Sequence, residues 1–141
     1  MATQYGTQMG RLRNSAPVDL PMAGDVHGRV RVFNEKVALA AQPTSDNIEV
    51  ARLPKGARVL YGLLDSTVSL GSATLAVGIV GTTGKYRAAA AFTAVDTPTL
   101  FGPAAVAGEP LAAEEIVILT IAAAALPASG TLRVMIFYTL D

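Results

Sequence analysis

From Arg29 to Asp141 the chain is a succession of short aliphatic and β-branched runs, separated at nearly regular intervals by glycine, proline, asparagine or aspartate. Runs of this length and composition, closed by turn residues, fold as strands. The expected class is therefore all-β. The last run shows the pattern most plainly: Leu132, Val134, Ile136, Tyr138 and Leu140 fall on one side of an extended chain, and Thr131, Arg133, Met135, Phe137 and Thr139 on the other. The first set is a core face. The second is mixed, because Met135 and Phe137 stand where a solvated sheet would be polar. Either a second layer of this chain or another subunit covers them.

The other runs can be read in the same way. Arg29 to Phe33 and Lys36 to Ala41 form one long bent strand or a hairpin about Asn34-Glu35. Asn47 to Leu53 is a strand stopped by Pro54-Lys55-Gly56, where proline sets φ and glycine accepts a positive one. Ala57 to Asp65 resumes, with Val59, Tyr61 and Leu63 on one face and Leu60 and Leu64 on the other. Leu70 to Val80 comes next, its small residues allowing close approach of another layer. Lys85 to Val95 contains the helix-favouring run Ala88 to Ala91, but Phe92, Thr93 and Val95 and the flanking β runs favour a strand. Thr97 to Pro110 is a proline-rich connection with a short strand near Thr99 to Phe101, and Glu114 to Ala123 precedes the terminal strand. About eight antiparallel strands without a helix fit a two-layer β-sandwich first and a closed barrel second.

Residues 1–28 differ in texture. Met1 to about Asp25 is polar and broken by Pro17, Pro21 and several glycines, and carries no sustained period. It reads as an extended N-terminal arm, either loosely ordered or laid along a neighbour, ahead of a sandwich domain over residues 29–141. At 141 residues and 51% hydrophobic content the chain is long and apolar enough for one core. No apolar run reaches the roughly 20 residues of a membrane-spanning helix. Eleven basic and eleven acidic residues cancel, which argues against nucleic acid or an anionic membrane as the main partner. Without cysteine there are no disulfides, thiolate metal sites or cysteine nucleophiles. The N-terminus lacks the charged-then-apolar pattern of a secretory signal.

The search for chemistry returns exclusions. Gly81-Thr82-Thr83-Gly84-Lys85-Tyr86 shares the end of a phosphate-binding loop, but Ile79 stands where the first glycine belongs and Tyr86 where Ser or Thr belongs. A plain loop between strands accounts for it. Asp25 and His27 fall on one side of an extended segment, yet with one histidine and no cysteine the nitrogen and sulfur shell of a transition metal cannot be assembled. A cupin-type metal centre fails on the same count. A serine hydrolase would need His27 as base and a serine on a strained turn, and no Gly-x-Ser-x-Gly occurs. Glu114 and Glu115 are adjacent, so on a strand they face opposite ways and cannot flank one glycosidic bond. They read as the solvated start of a strand. Arg11, Arg13, Arg29 and Arg31 gather positive charge, but no aromatic residues interleave with them as a nucleic-acid platform requires. Ion pairs with a partner's acidic surface remain. No catalytic, metal or cofactor residue is assigned, and the chain is read as a non-enzyme.

The stretch Ile48-Glu49-Val50-Ala51-Arg52-Leu53-Pro54-Lys55-Gly56-Ala57-Arg58-Val59-Leu60, followed by Leu70-Gly71-Ser72-Ala73-Thr74-Leu75-Ala76-Val77-Gly78 and Lys85-Tyr86-Arg87-Ala88-Ala89, resembles small jelly-roll virion proteins of tailed bacteriophages. In particular it is similar to the capsid cement or decoration proteins of podovirus type, over roughly Arg29 to Asp141. These motifs are structural, so no catalytic residue carries over. The resemblance implies a jelly-roll β-sandwich on the outside of an HK97-type shell, assembled in the host cytoplasm. Its partners would be the major capsid protein and further copies of itself, a dimer before a trimer. Candidate shell or self-association contacts are Arg11 and Arg13 in the arm and Met135 and Phe137 on the terminal strand. A carbohydrate- or receptor-binding sandwich of a phage fibre is the alternative, against which the absence of tryptophan counts.

Overall fold

The computed structural model describes residues 2–21, 23, 26–102 and 108–140. One short helix, α1 (Thr7–Asn14), precedes eight strands: β1 (Val30–Ala38), β2 (Asn47–Leu53), β3 (Ala57–Ser66), β4 (Thr74–Ile79), β5 (Thr82–Ala91), β6 (Thr99–Phe101), β7 (Glu115–Ala122) and β8 (Thr131–Leu140). They form two four-stranded antiparallel sheets, ordered β1-β8-β3-β6 and β2-β7-β4-β5. Every connection crosses from one sheet to the other except the β4–β5 hairpin, as in a jelly roll. The chain is an all-β jelly-roll sandwich.

The core is the aliphatic layer between the sheets. Strand β8 contributes Leu132, Val134 and Ile136, and β7 contributes Val117, Leu119 and Ile121; all are essentially inaccessible, with Leu53, Leu64, Leu75 and Val77 beside them. The alternation of β8 thus places its inward side chains as the sequence predicts. β1 is continuous through Asn34-Glu35 and pairs with β8 along its whole length, so the long-strand reading holds and the hairpin does not. Ala88 to Ala91 is strand. β2 stops at the Pro54–Gly56 turn, in which Gly56 takes φ 88° and the Ala57 amide donates to the Pro54 carbonyl.

Strand β3 departs from its expected faces. Val59 pairs with Tyr138 while Tyr61 pairs with Phe137, leaving Leu60 as one extra residue. This bulge inverts the alternation. Val59 is buried and Tyr61 exposed, where simple alternation put both on one face. A second bulge lies between Glu49 and Ala51 of β2, and it buries both Val50 and Ala51.

The β4–β5 hairpin turns through Val80-Gly81, with Gly81 at φ 89°, and includes the glycine-rich stretch considered for phosphate. β5 then crowds β4: a Cβ on Gly78 would lie 2.3 Å from the Thr82 carbonyl oxygen and 2.4 Å from that of Thr83. The register shifts twice here. Arg87 bridges the irregularity, its Nη1 donating to the carbonyls of Leu75 and Ala90 and its Nη2 to Ala91. Beyond β6, the segment at Leu111 returns to the start of β3: the Gly56 amide donates to the Leu111 carbonyl at 2.8 Å, and the Leu111 amide donates to the Ala57 carbonyl at 2.9 Å.

The arm contains an element that the sequence reading lacks. α1 has only Met9 and Leu12 as apolar residues, too few for a periodic signal, and local terms support it instead. Arg11 and Arg13 occupy its last turn, where positive charge meets the partial negative end of the helix.

The two crowded glycines should separate in a denaturation series. Gly78→Ala meets backbone and is expected to destabilise the domain by about 2 kcal/mol or more. Gly62→Ala meets the Phe101 ring on the three-residue strand β6, a side chain that can swing aside, and is expected to cost about half as much. Equal losses in urea midpoint would contradict this account of the hairpin.

Candidate interaction face

Because Leu132, Val134 and Ile136 point inward, Arg133, Met135 and Phe137 lie on the outer face of their sheet. The register extends that face sideways. Val32, Phe137 and Tyr61 form one cross-strand row, and Asn34, Met135, Leu63 and Leu100 form the next. The Tyr61 and Phe137 rings stack at 4.8 Å between centroids with 22° between planes. Val30, Val32, Leu60, Tyr61 and Leu100 are 55, 49, 41, 41 and 67% exposed. The result is an apolar band across all four strands, where an ordinary sandwich is polar outside. At its far end Lys36 registers beside Arg133, whose Nη2 donates to Asp65 Oδ2 at 3.3 Å. An apolar centre bordered by charge is the anatomy of a protein–protein contact. The outer face of the other sheet carries Glu49 and the Arg52–Glu114 ion pair at 2.9 Å.

The candidate residues divide between two places. Met135 and Phe137, for which outer and core positions were both open, are half-buried on the outer face. Arg11 and Arg13 belong to α1, and both are engaged within the arm: Arg11 with Asp19, Arg13 over the Tyr5 ring. His27 is exposed at φ 61°, and its companion Asp25 lies outside the described residues. Among the described residues no group of three or more His, Asp or Glu is placed to hold a metal ion.

The structure also assembles a polar cluster that sequence reasoning missed. Glu115, expected to be solvated, takes the Tyr86 hydroxyl on Oε2 at 2.6 Å and the Lys85 ammonium on Oε1. Burial, and then the hydrogen bond to Glu115, push the Tyr86 phenol well above its usual range. The three line a cleft of about 340 Å³ with Val59, Pro110 and Leu111. A phenol held so firmly protonated is no base at neutral pH, and the carboxylate is already satisfied. The cluster ties β5 to β7, which are not neighbours in the sheet.

No family model matches the chain, nor does any curated protein sequence. Solved structures do. A chain in the capsid asymmetric unit of cyanophage Pam1 is 27% identical, with 91% of this chain and 97% of that chain covered at a TM-score of 0.67. A chain in the capsid of Ralstonia phage GP4 is 22% identical, covering 81% of this chain and 86% of that one at 0.63. A chain in the acidic stable capsid of Helicobacter pylori bacteriophage KHP30 is 14% identical, covering 82% and 90% at 0.62; at those identities the last two show the shared fold alone. The Pam1 neighbour supports a structural role in a virion.

Two measurements probe this geometry. Ser in place of Phe137 loses a ring stack and part-buried surface, so the isolated domain should lose about 1 kcal/mol, whereas Ile136→Ala opens the core and should cost about 3 kcal/mol. Near-equal losses would put Phe137 in the core. Since the folded pKa of Tyr86 is raised, its contribution is complete below pH ~10 and is lost as the pH climbs further, because only the unfolded chain then releases the proton. Absorbance at 295 nm near pH ~11 should rise on unfolding as the Tyr86 phenol ionises, and Tyr86→Phe should reduce that rise.

Proposed function

We propose that this chain is a capsid cement protein: it binds the outside of an HK97-type phage shell and bridges neighbouring capsomers. The observation that carries the reading is the likeness to a chain in the Pam1 capsid asymmetric unit, at 27% identity and over 97% of that chain's length. The match spans nearly the whole of both chains. A whole chain of this kind inside a capsid, together with the motif resemblance to decoration proteins, favours an accessory subunit laid on a shell. The apolar outer face and the N-terminal arm supply two surfaces with which to meet it, and the low net charge favours association.

The mechanism is mechanical. A protein that binds the assembled shell but not its dissociated subunits stabilises assembly by mass action, by RT ln(1 + [L]/Kd) at each site. Symmetry repeats a modest contact many times over a closed surface. The major capsid protein is the partner, and neighbouring copies of this chain add a second contact through the face carrying Met135 and Phe137. Nothing in this role requires a reacting group.

The test is reconstitution on shells purified without this protein. Added chain should bind in capsid-like copy number and raise the temperature of shell disruption; absence of both effects would refute the reading. Deleting residues 1–25 should lower occupancy about tenfold or more while leaving the circular dichroism of the sandwich unchanged. Full occupancy by that variant would remove the arm from the contact.

A further inference from the structure

We propose that the N-terminal arm is a pre-folded docking element whose complementary surface on the shell is apolar, not acidic. The identity of the partner rests on the cementing role; the shape and chemistry of the arm do not. Residues 2–21 contain only three charged side chains, Arg11, Arg13 and Asp19. Arg11 grips Asp19 side-on with one edge of its guanidinium, Nε to Oδ2 at 2.8 Å and Nη2 to Oδ1 at 3.1 Å, and Nη2 also reaches the Leu20 carbonyl at 3.4 Å. Ser15 closes the same loop: its hydroxyl donates to the Arg11 carbonyl and accepts the Asp19 amide at 2.7 Å. The last turn of α1 and the returning segment to Leu20 are therefore one tied unit. The third charge, on Arg13, lies 6.0 Å over the centre of the Tyr5 ring.

An arm that seeks an acidic surface would leave its guanidinium groups unengaged and facing solvent. This one spends one on its own carboxylate and lays the other across its own aromatic ring, and two arginines against one aspartate leave residues 2–21 a net charge of only +1, a weak source of attraction at a distance. Hydrogen bonding to Arg11 holds the Asp19 carboxyl below its usual range, so the clamp is intact at neutral pH and opens only as the medium becomes strongly acid. The arm also leaves large apolar side chains in water: Met9, Val18 and Leu20 are 48, 58 and 71% exposed. The geometry points to contact through these side chains, with Arg11 and Asp19 as positioning residues. Pre-folding also lowers the ordering entropy that a loose tether would lose on docking.

Two experiments on the full-length protein decide this. In the free protein, the Gly10 and Asp19 amides, bonded to the Gly6 carbonyl and the Ser15 hydroxyl, should exchange hydrogen more slowly than in Arg11→Asp; an arm exchanging at random-coil rates would overturn the pre-folded state. On purified shells, Val18→Ser and Leu20→Ser should each weaken attachment about tenfold or more. Arg11→Asp should weaken it several-fold, and the double reversal Arg11→Asp with Asp19→Arg should return it to within about twofold. Attachment should change by less than about threefold between roughly 50 and 500 mM salt. A steep fall with salt, or failure of the double reversal to restore binding, would show that the arginines meet an acidic partner and overturn the proposal. Absence of any shell binding would instead remove the cementing role, and amide exchange would still decide whether the arm is pre-folded.

Discussion

The aliphatic layer between the two sheets is the constraint on which everything else in this protein depends. With no cysteine to cross-link it and no tryptophan to fill it, the sandwich is held by interdigitated leucine, valine and isoleucine. Val117, Leu119 and Ile121 of one sheet and Leu132, Val134 and Ile136 of the other belong to one buried cluster, and strand parity does the rest. Once alternate residues are committed to the interior, their neighbours are committed to the outside. The apolar outer face is thus a direct consequence of how the inner face packs, because Met135 and Phe137 have no other side to occupy.

Irregularity in the fold is concentrated where it re-aims side chains. The extra residue Leu60 turns Tyr61 outward against Phe137 and creates the stacked pair at the centre of the band. The shifts in β5 are bridged by Arg87, whose guanidinium hydrogen-bonds the Leu75 and Ala90 carbonyls beside the irregularity. Desolvation lowers the pKa of that guanidinium from its usual value, though an arginine remains charged at any physiological pH. Glu115 performs a similar task between β5 and β7. Each of these charged groups leaves solvent only with named partners, as burial demands.

Much of the architecture was legible beforehand. The bounds of β2 and β6 coincide with the runs read from the sequence, and the prolines and glycines that punctuate the runs mark real turns. The losses have physical causes. A bulge leaves no mark on a single strand, because parity is defined by pairing with a neighbour; Leu60 and Val50 could not be identified without β8 and β7. α1 was missed because its stability comes from side chain–backbone bonds and a charge pair that span four and eight residues, not from an apolar stripe. The Tyr86–Glu115 bond joins residues 29 apart, beyond the reach of local patterning.

The class of the fold and its inner surface were set by the linear pattern of residues, because alternation of aliphatic side chains has a period that only extended chains share and because burial of those side chains dominates folding. The same pattern excluded a cysteine-based or histidine-rich centre, since the residues are not there. The outer surface was settled by packing in three dimensions: whether Met135 and Phe137 face in or out, which residues join them, and where the charges of Arg11 and Glu115 go. Those outcomes depend on strand register, bulges and contacts between distant segments. Such relations exist only once two stretches of chain lie side by side.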